Sequence, residues 1–312
     1  MSFKISSIQF LLVCIGITFF LTCTINLFTK FDNCNCANEK EIKQIISNPY
    51  TNFKPIFPHK LAVLVPFRDR FEELLEFVPY ISTFLFKQNI AHHIFILNQV
   101  DSYRFNRASL INVGFLETLK DYDYIAMHDV DLLPLNSNLS YKYPEKGPHH
   151  VAAPSYHPKY HYATFVGGIL LIKREHFVLV KGMSNQYWGW GLEDDEFYVR
   201  IKEASLSITR PENLTTGTTN TFRHVHKAEH RKRDTAKCYN QREVTRKRDR
   251  KTGLHDVQYQ VVDRKKITIE DFSITVLNIK LSCNKSLTPW CECPDNKSNA
   301  KKPVKTNSDM TK

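Results

Sequence analysis

The chain has 312 residues, of which 42% are hydrophobic and 12% aromatic, so it can bury a sizeable core and is not a disordered or low-complexity chain. Its formal net charge of +11, taken alone, suggests nucleic acid, an anionic membrane or an acidic partner. The excess is local, because residues 223–251 carry 12 basic and 4 acidic residues and residues 294–312 carry 5 and 2. Aromatic residues are not interleaved with the basic run, so nucleic-acid binding is the least favoured function.

The first segment, residues 5–29, has no charged residue and is rich in Ile, Leu, Phe, Val and Cys. A helix of that length exceeds the roughly 30 Å hydrocarbon core of a bilayer. A cleaved signal peptide is less favoured, since residues 19–22 are too bulky for a cleavage site. Lys4 and the amino terminus, set against Lys30 and Asp32, favour a cytosolic tail at residues 1–4. The sequence therefore predicts a single-pass type II transmembrane signal anchor, with the remainder of the chain luminal.

Two further features agree with a luminal location. The chain has four Asn-x-Ser/Thr sequons, which are Asn138, Asn213, Asn284 and Asn296. Six cysteines lie outside the anchor, which are Cys34, Cys36, Cys238, Cys283, Cys291 and Cys293. The last three are closely spaced but lack paired CxxC spacing and a nearby His, so disulfides are favoured over a zinc cluster.

After the anchor the chain alternates between strand and helix patterns. Residues 30–58 have no sustained hydrophobic period and are predicted to be a stem. Apolar runs at residues 61–65, 94–97 and 124–127 predict buried strands, and two stripes of helical period lie between them, the first with Pro79 as a predicted kink. Residues 197–204 predict a further helix and residues 274–281 a late strand. This order predicts a parallel α/β sheet with ligands at the carboxyl ends of its strands. Residues 294–312 are predicted to be a basic, disordered tail.

The third predicted strand runs directly into Asp129-Val-Asp131. This position places two carboxylates at the rim of the sheet, where they suit Mg²⁺ or Mn²⁺ carrying a diphosphate. An isolated Asp-x-Asp is a weak signal, and its position after a buried strand strengthens it. The chain has no glycine-rich phosphate loop, so metal and basic side chains would have to bind any phosphate.

A second motif is Trp188-Gly-Trp-Gly-Leu-Glu-Asp-Asp-Glu196. Alternating Trp and Gly are incompatible with a regular buried helix, whereas indole faces are suited to stacking on sugars. Acidic residues in the first turn of a helix interact favourably with the helix dipole, and this accounts for two or three of the four acidic residues in the motif. A carboxylate after such a loop is also placed to act as a general base toward a sugar hydroxyl.

A third motif is His224-Val-His226. Residues two apart in an extended segment point to the same face, so both imidazoles can reach one metal ion. Chance pairs are common in a chain with 13 histidines. Imidazole nitrogens joined to an aspartate would favour Mn²⁺ over Mg²⁺.

These motifs together resemble the β-1,4-galactosyltransferase family in order and spacing, from about His59 to Cys291. The His-x-His pair resembles the motif of the branch that adds galactose to xylose in the proteoglycan linker. Other members of the family have Met-x-x-His at this position. The motifs that carry the resemblance are Pro66-Phe-Arg-Asp-Arg70, Phe105-Asn-Arg107, Asp129-Val-Asp131, Phe165-Val-Gly-Gly168 and Trp188-Gly-Trp-Gly-Leu-Glu-Asp-Asp195.

The resemblance implies a catalytic domain at residues 59–293 with a GT-A type glycosyltransferase fold and a mixed, largely parallel central sheet. It also implies UDP-galactose as donor, Mn²⁺ as cofactor, a xylosylated proteoglycan core protein as acceptor and a location in the Golgi membrane. Asp194 would be the catalytic base. The metal ligands would be Asp131, His224 and His226. The UDP site would comprise Pro66, Arg68, Arg70, Phe105, Arg107, Asp129, Val130 and Trp190. The acceptor site would comprise Tyr160, Tyr162, Phe165, Glu193, Asp194 and Asp195.

One residue departs from the pattern implied by the resemblance. Phe165 stands where many members have a tyrosine whose hydroxyl helps to select galactose over its N-acetylated analogue. An N-acetylgalactosaminyltransferase of the same fold is therefore one alternative, and a non-catalytic carbohydrate-binding membrane protein is another. The terminal pattern of the family implies a Cys283–Cys291 disulfide, with Cys238–Cys293 as a second.

Overall fold

The chain forms a seven-stranded mixed sheet in a computed structural model that describes residues 58–225 and 232–294. Its strand order is β5-β6-β3-β1-β2-β9-β8, and β4 and β7 form a separate two-stranded sheet. The strands are β1 Lys60–Phe67, β2 Ala91–Gln99, β3 Tyr124–His128, β4 Leu132–Pro134, β5 His149–His150, β6 Ile169–Lys173, β7 Phe222–His224, β8 Tyr259–Ile269 and β9 Phe272–Leu281. The helices are α1 Phe71–Lys87, α2 Arg107–Thr118, α3 Arg174–Leu179, α4 Glu193–Glu203 and α5 Gln241–Val244, with a 3₁₀ turn at Pro289–Cys291.

The four central strands of the large sheet are parallel, and the outer strands are antiparallel. β1 pairs in parallel with β2 and β3, and β2 pairs in parallel with β9. β6 runs antiparallel to β3 at one side, and β8 runs antiparallel to β9 at the other. The predicted strands in residues 61–65, 94–97, 124–127 and 274–281 are therefore the parallel centre of the sheet, and the fold is a mixed α/β architecture.

Both faces of the sheet are covered, which explains why β1 is apolar at consecutive positions rather than at alternate ones. Leu61, Val63 and Val65 belong to the same hydrophobic cluster as the buried side of α1. Ala62 and Leu64 belong to the cluster that contains the buried side of α2. The two helices thus complete two separate cores, one on each face of the sheet.

The helix predicted to contain Pro79 is α1, which runs from Phe71 to Lys87 with Pro79 inside it, and the kink there stays a prediction. The structure differs from the sequence-based expectation in its antiparallel strands. The antiparallel strands β4 to β8 were not predicted. β8 lacked an apolar signal because it is an edge strand with charged residues at positions 263–266, and such charges discourage pairing with a further strand.

Three predicted segments lie wholly or largely outside the described residues. These are the anchor at residues 5–29, the stem at residues 30–58 and the tail at residues 294–312. Within residues 58–225 and 232–294, no helix combines the length and apolar character needed to cross a bilayer.

Candidate active site

Asp129 lies immediately after β3, at the carboxyl end of the parallel strands. Its backbone amide donates a hydrogen bond to the Gly168 carbonyl at 3.0 Å. Arg107, at the start of α2, donates from Nε and Nη2 to Asp129 Oδ1 at 2.9 and 2.8 Å. Asn106 caps this helix by accepting from the Ser109 amide. The capped helix therefore fixes a guanidinium against the first carboxylate of the Asp-x-Asp motif.

Asp131 and His224 are brought together by the small sheet. Leu132 pairs with His224 in the β4–β7 register, and the Val225 amide donates to the Asp131 carbonyl at 2.8 Å. The His224 Nε2 atom lies 4.0 Å from Asp131 Oδ2. Two ligand atoms that are each about 2.1 Å from one ion can be at most about 4.2 Å apart, so this pair fits a shared divalent metal. His226 lies outside the described residues.

The described residues supply only part of a metal-binding site. Among the described residues there is no group of three His, Cys, Asp or Glu side chains that could hold a metal. Burial raises the pKa of Asp131 to about 6 and the Asp129 charge adds to the rise, while Arg70 and Arg233 oppose it. A divalent cation between Asp131 and His224 would favour the ionised form of this carboxyl.

The residues predicted for the nucleotide site lie around the ends of β1 and β2. Pro66 is opposite Leu97 in the parallel register, and Val130 is buried between the two aspartates. The remaining polar members are held by protein groups. Arg68 donates to the carbonyls of Gln99, Asp101 and Tyr103 and lies 5.9 Å from the Phe105 ring, and Arg70 lies 3.4 Å from Glu73.

The Trp-Gly motif forms a loop that leads into α4. Gly189 and Gly191 have φ values of 81° and 100°, and Leu192 precedes the helix at φ 76°. Such left-handed backbone is readily adopted by glycine. Trp188 is buried, whereas Trp190 is 44% exposed, so only the second indole is accessible to a sugar.

The acidic run at the start of α4 divides into structural and accessible carboxylates. Glu196 pairs with Arg200 at 2.8 Å and with Arg248, and it is buried in these ion pairs. Burial, followed by the charges of Glu193 and Asp195, raises the pKa of Asp194 to about 8, while Arg107 acts in the opposite direction. All four acidic residues lie in the first turn of α4, as the helix-dipole explanation requires, and Glu196 has ion pairs in addition. The raised pKa of Asp194 suits a general base.

Asp194 faces a glycine of the Phe165-Val-Gly-Gly motif. A Cβ atom on Gly167 would lie 2.7 Å from Asp194 Oδ2 and 2.7 Å from Phe165 Cε2. Only glycine permits this close approach. Phe165 is 4% exposed and packs against four rings, those of His150, His157, Tyr160 and Tyr162.

The predicted acceptor side chains surround this carboxylate. Burial raises the pKa of Tyr162, with further contributions from Asp194 and Asp195. Tyr162 is nevertheless 43% exposed, so it stands at the rim. The Glu193 Oε2 atom is buried and has no hydrogen-bond partner in the part of the chain that the structure describes. An unpaired buried carboxylate oxygen beside the base is suited to accept from a sugar hydroxyl.

Arg104 was missed by the sequence analysis, because it lies in a loop without periodicity. Its guanidinium donates to Asp234 at 2.6 and 2.9 Å, and Asp234 in turn accepts from the Trp190 amide at 2.7 Å through its carbonyl. Further acceptors of Arg104 are Gln241 Oε1 and the carbonyls of Ala236 and Trp290. Arg104 thereby connects the Trp loop to the carboxyl-terminal part of the domain.

Both predicted disulfides are confirmed. Cys283 is bonded to Cys291, and Cys238 is bonded to Cys293. They join the segment after β9 to itself and to the segment before α5.

A mixed α/β sheet with Asp129 and Asp131 after a central parallel strand, and a glycine-flanked Trp before an acidic helix, defines a GT-A type glycosyltransferase. Two family models match the sequence. "N-terminal region of glycosyl transferase group 7" matches residues 23–144, and "N-terminal domain of galactosyltransferase" matches residues 147–226. The chain belongs to the β-1,4-galactosyltransferase family.

Similar proteins agree on one branch of that family. The chain is 64% identical to beta-1,4-galactosyltransferase 7 of Drosophila melanogaster over 236 residues, which are 75% of this chain and 73% of the relative. It is 58% identical to the Homo sapiens protein of that name over 234 residues, 75% and 71% of the two chains. It is 48% identical to xylosylprotein 4-beta-galactosyltransferase of Caenorhabditis elegans over 258 residues, 81% and 89% of the two chains.

Two solved structures are also similar. The catalytic domain of the Drosophila enzyme in complex with xylobiose has a TM-score of 0.75 and 64% identity, covering 76% of this chain and all of that one. A mutant of that enzyme, in complex with manganese, UDP-Gal and xylobiose, has the same TM-score and coverage and 63% identity.

Proposed function

We propose that the chain transfers galactose from UDP-galactose to the 4-hydroxyl of xylose on a serine of proteoglycan core proteins. The observation that carries this proposal is the position of Asp194, a carboxylate with a raised pKa at a Gly167 contact that leaves no room for a side chain. The solved relatives that hold xylobiose, manganese and UDP-Gal support the choice of acceptor, cofactor and donor.

The proposed reaction needs a base for the acceptor hydroxyl, and Asp194 supplies it. Asp194 accepts the proton of the xylose 4-hydroxyl as that oxygen forms a bond to the anomeric carbon. The bond from the anomeric carbon to the diphosphate oxygen breaks on the opposite face, and the electron pair leaves with UDP. In-line displacement of this kind inverts an α-linked donor to a β-linked product.

The remaining residues bind and orient the two substrates. Asp131, His224 and His226 would hold Mn²⁺, which would offset negative charge on the departing diphosphate. Arg107 and Asp129 form a fixed pair at the edge of the nucleotide site. Trp190 offers an indole face to the sugar. Closing the Trp loop over the donor would exclude water that otherwise hydrolyses it.

The same proposal includes the setting of the enzyme. Residues 5–29 would anchor the protein in the Golgi membrane in type II orientation, with the catalytic domain in the lumen. This rests on the uncharged segment and its flanking residues. The two disulfides agree with a luminal location, because disulfides form and persist in oxidising compartments.

Product analysis tests the proposed reaction directly. The enzyme is incubated with UDP-galactose, Mn²⁺ and a xyloside, with N-acetylglucosamine as competing acceptor. We expect a β-1,4-linked galactosyl-xyloside as the main product and its loss on chelation. Sugar binding that is unaffected by chelation, without turnover, would instead support a carbohydrate-binding protein.

Phe165 supports a second candidate donor. No hydroxyl is present at the ring that packs beside Gly167 and Asp194, so UDP-N-acetylgalactosamine is included in the assay. A higher kcat/KM with the N-acetylated donor would assign the protein as an N-acetylgalactosaminyltransferase of the same fold.

A further inference from the structure

Arg233 lies at the mouth of the candidate active site, between two aromatic rings. Its guanidinium carbon is 4.7 Å from the Trp190 ring centroid and 5.9 Å from that of Tyr160. The backbone next to Arg233 is held in place, because the Trp190 amide donates a hydrogen bond to the carbonyl of Asp234, the residue after Arg233, at 2.7 Å. The cation is thus presented between the indole proposed for the donor and a phenol proposed for the acceptor.

Arg233 differs from the neighbouring arginines in having no carboxylate partner among the residues that the structure describes. Within residues 58–225 and 232–294, no carboxylate forms an ion pair with it, whereas four other arginines around the site are each paired. Their partners are Asp101 for Arg68, Glu73 for Arg70, Asp234 for Arg104 and Asp129 for Arg107. A cation that contacts two aromatic residues and forms no such ion pair keeps its charge available for an incoming anion, together with the N–H donors not used by Tyr160.

The Arg233 guanidinium is near enough to several groups of the site for its charge to act on them. It acts on the carboxyl of Asp131 and on the side chains of His157 and Lys159. An anion bound next to Asp131 would therefore lie within its field. A guanidinium is suited to phosphate because its planar N–H groups can contact two oxygens at once.

We propose that Arg233 binds the diphosphate of the nucleotide-sugar donor and stabilises it as a leaving group. This rests on the proposed function, which supplies the donor, and it adds a catalytic residue to the site. When the bond from the anomeric carbon breaks, the electron pair passes to the β-phosphate oxygen, and the added charge falls on the group that Arg233 contacts. Preorganised cations at such a position favour the transition state.

The diphosphate is favoured over an acidic segment of the core protein as the partner. Arg233 is half-buried between Trp190 and Tyr160, whereas its neighbour Lys232 is exposed. An acidic peptide at the surface would be expected to contact Lys232 at least as readily. Arg233 also lies closer to the ring of Trp190, the residue proposed for the donor, than to that of Tyr160.

Binding and kinetic measurements on three variants test this assignment. Arg233→Gln removes the charge, Arg233→Lys retains it without the planar donors, and Lys232→Gln is the matched control for loss of a nearby charge. Affinities for UDP and for uridine are measured by calorimetry with Mn²⁺, and kcat and KM with UDP-galactose and a simple xyloside. Thermal melts confirm that each variant is folded.

We expect Arg233→Gln to weaken UDP binding about tenfold, the value of one charge-assisted hydrogen bond, and to leave uridine binding unchanged. kcat should also fall, Arg233→Lys should restore part of both losses, and Lys232→Gln should resemble the wild type. Equal losses in Arg233→Gln and Lys232→Gln, or a change only in the KM of an acidic xylosyl peptide, would overturn the assignment. If the wild-type protein itself fails to bind UDP with Mn²⁺, the proposed function is what fails.

Discussion

The His224 imidazole and the Asp131 carboxylate are 4.0 Å apart because of backbone pairing, not because of a local motif. The three-residue strands β4 and β7 align His224 with Leu132, the residue after Asp131. A hydrogen bond from the Val225 amide to the Asp131 carbonyl extends the pairing beyond the strands. The geometry of the candidate metal site therefore depends on this small sheet.

Removing either ligand should weaken Mn²⁺ binding strongly. For His224→Ala and Asp131→Asn we expect the Mn²⁺ affinity to fall more than about 100-fold, since second-shell partners alone are worth 10–100-fold. The measurement is Mn²⁺ binding by electron paramagnetic resonance in the presence of UDP, together with the Mn²⁺ midpoint of activity. His255→Ala, which changes an exposed histidine, is the control. An unchanged midpoint in His224→Ala would remove this residue from the metal site.

Replacing Asp194 by Asn should separate transfer from donor binding. The amide cannot accept the proton of the acceptor hydroxyl, so we expect transfer to fall by at least about 100-fold, the range of general-base catalysis. UDP binding with Mn²⁺ should remain within about twofold. Activity close to that of the wild type would show that a different group acts as the base.

The same variant should be more stable than the wild type at high pH. The pKa of Asp194 is about 8 in the fold and 3.8 when unperturbed. A raised pKa means that stability is fully present below the unfolded value and is lost as pH rises through the folded value. Asn does not titrate, so its advantage should grow from pH 5 to about pH 8 and then level off, by an amount on the order of 1–3 kcal/mol after allowance for solvent access.

Thermal melts from pH 5 to pH 9 measure this difference. Asp271→Asn, in the exposed turn between β8 and β9, controls for the general effect of removing a carboxylate. A stability difference for Asp194→Asn that is constant across this range would contradict the raised pKa.

The raised pKa of Asp194 also predicts the pH profile of the wild type. The base must be ionised before it can accept a proton, and burial favours the neutral acid below about pH 8. kcat/KM for the xyloside, which reports groups of the free enzyme, should therefore rise with pH about tenfold per unit below pH 7 and level off above pH 8. Initial rates between pH 6 and pH 8.5 at saturating Mn²⁺ provide the measurement, and a flat profile would contradict it.

Phe165 should control the choice of donor. Its ring edge lies at Gly167 beside Asp194, so Phe165→Tyr would add a hydroxyl close to the reacting groups. We expect the preference for UDP-galactose over UDP-N-acetylgalactosamine, as the ratio of kcat/KM values, to increase about tenfold, which is typical of one added group in a pocket. Phe165→Leu, which adds no hydroxyl, should not increase it. Equal ratios in all three proteins would exclude this position as a selectivity determinant.

The central strands and the acidic motifs could be predicted from the sequence because each has a local signal. The apolar run of β1 and the Asp-x-Asp after β3 are examples, since burial on both faces of the sheet removes polar residues from consecutive positions. The β4–β7 pair could not be predicted because three-residue strands have no period. The contact of Gly167 with Asp194 was missed for a related reason, since it joins residues from separate elements.

The roles within the basic segment could not be predicted from its charge. Arg248 and Arg250 pair with Glu203, and Arg223 pairs with Glu76. These side chains are engaged in ion pairs within the fold, although the sequence around them is similar in composition to that around Arg233. Only the three-dimensional partners separate the structural cations from the one at the mouth of the site.

Arg104 should couple the stability of the domain to the position of the Trp loop. Its side chain is 9% exposed and donates to Asp234, whose carbonyl accepts from the Trp190 amide. Arg104→Gln removes the ion pair and leaves the carbonyls of Ala236 and Trp290 without this donor. We expect a loss of about 2–4 kcal/mol in the free energy of unfolding and a lower kcat at temperatures where the variant is fully folded.

Urea unfolding, with steady-state kinetics at low temperature, separates the two effects of Arg104→Gln. Arg264→Gln, which breaks an exposed pair with Glu117, should cost less than about 1 kcal/mol and leave kcat unchanged. Gly189→Ala is an independent probe, because a Cβ there would lie 2.0 Å from Arg104 Nη2 at a φ of +81°, and it should lower kcat in the same way. A normal kcat in both Arg104→Gln and Gly189→Ala would show that this guanidinium supports the fold without positioning Trp190.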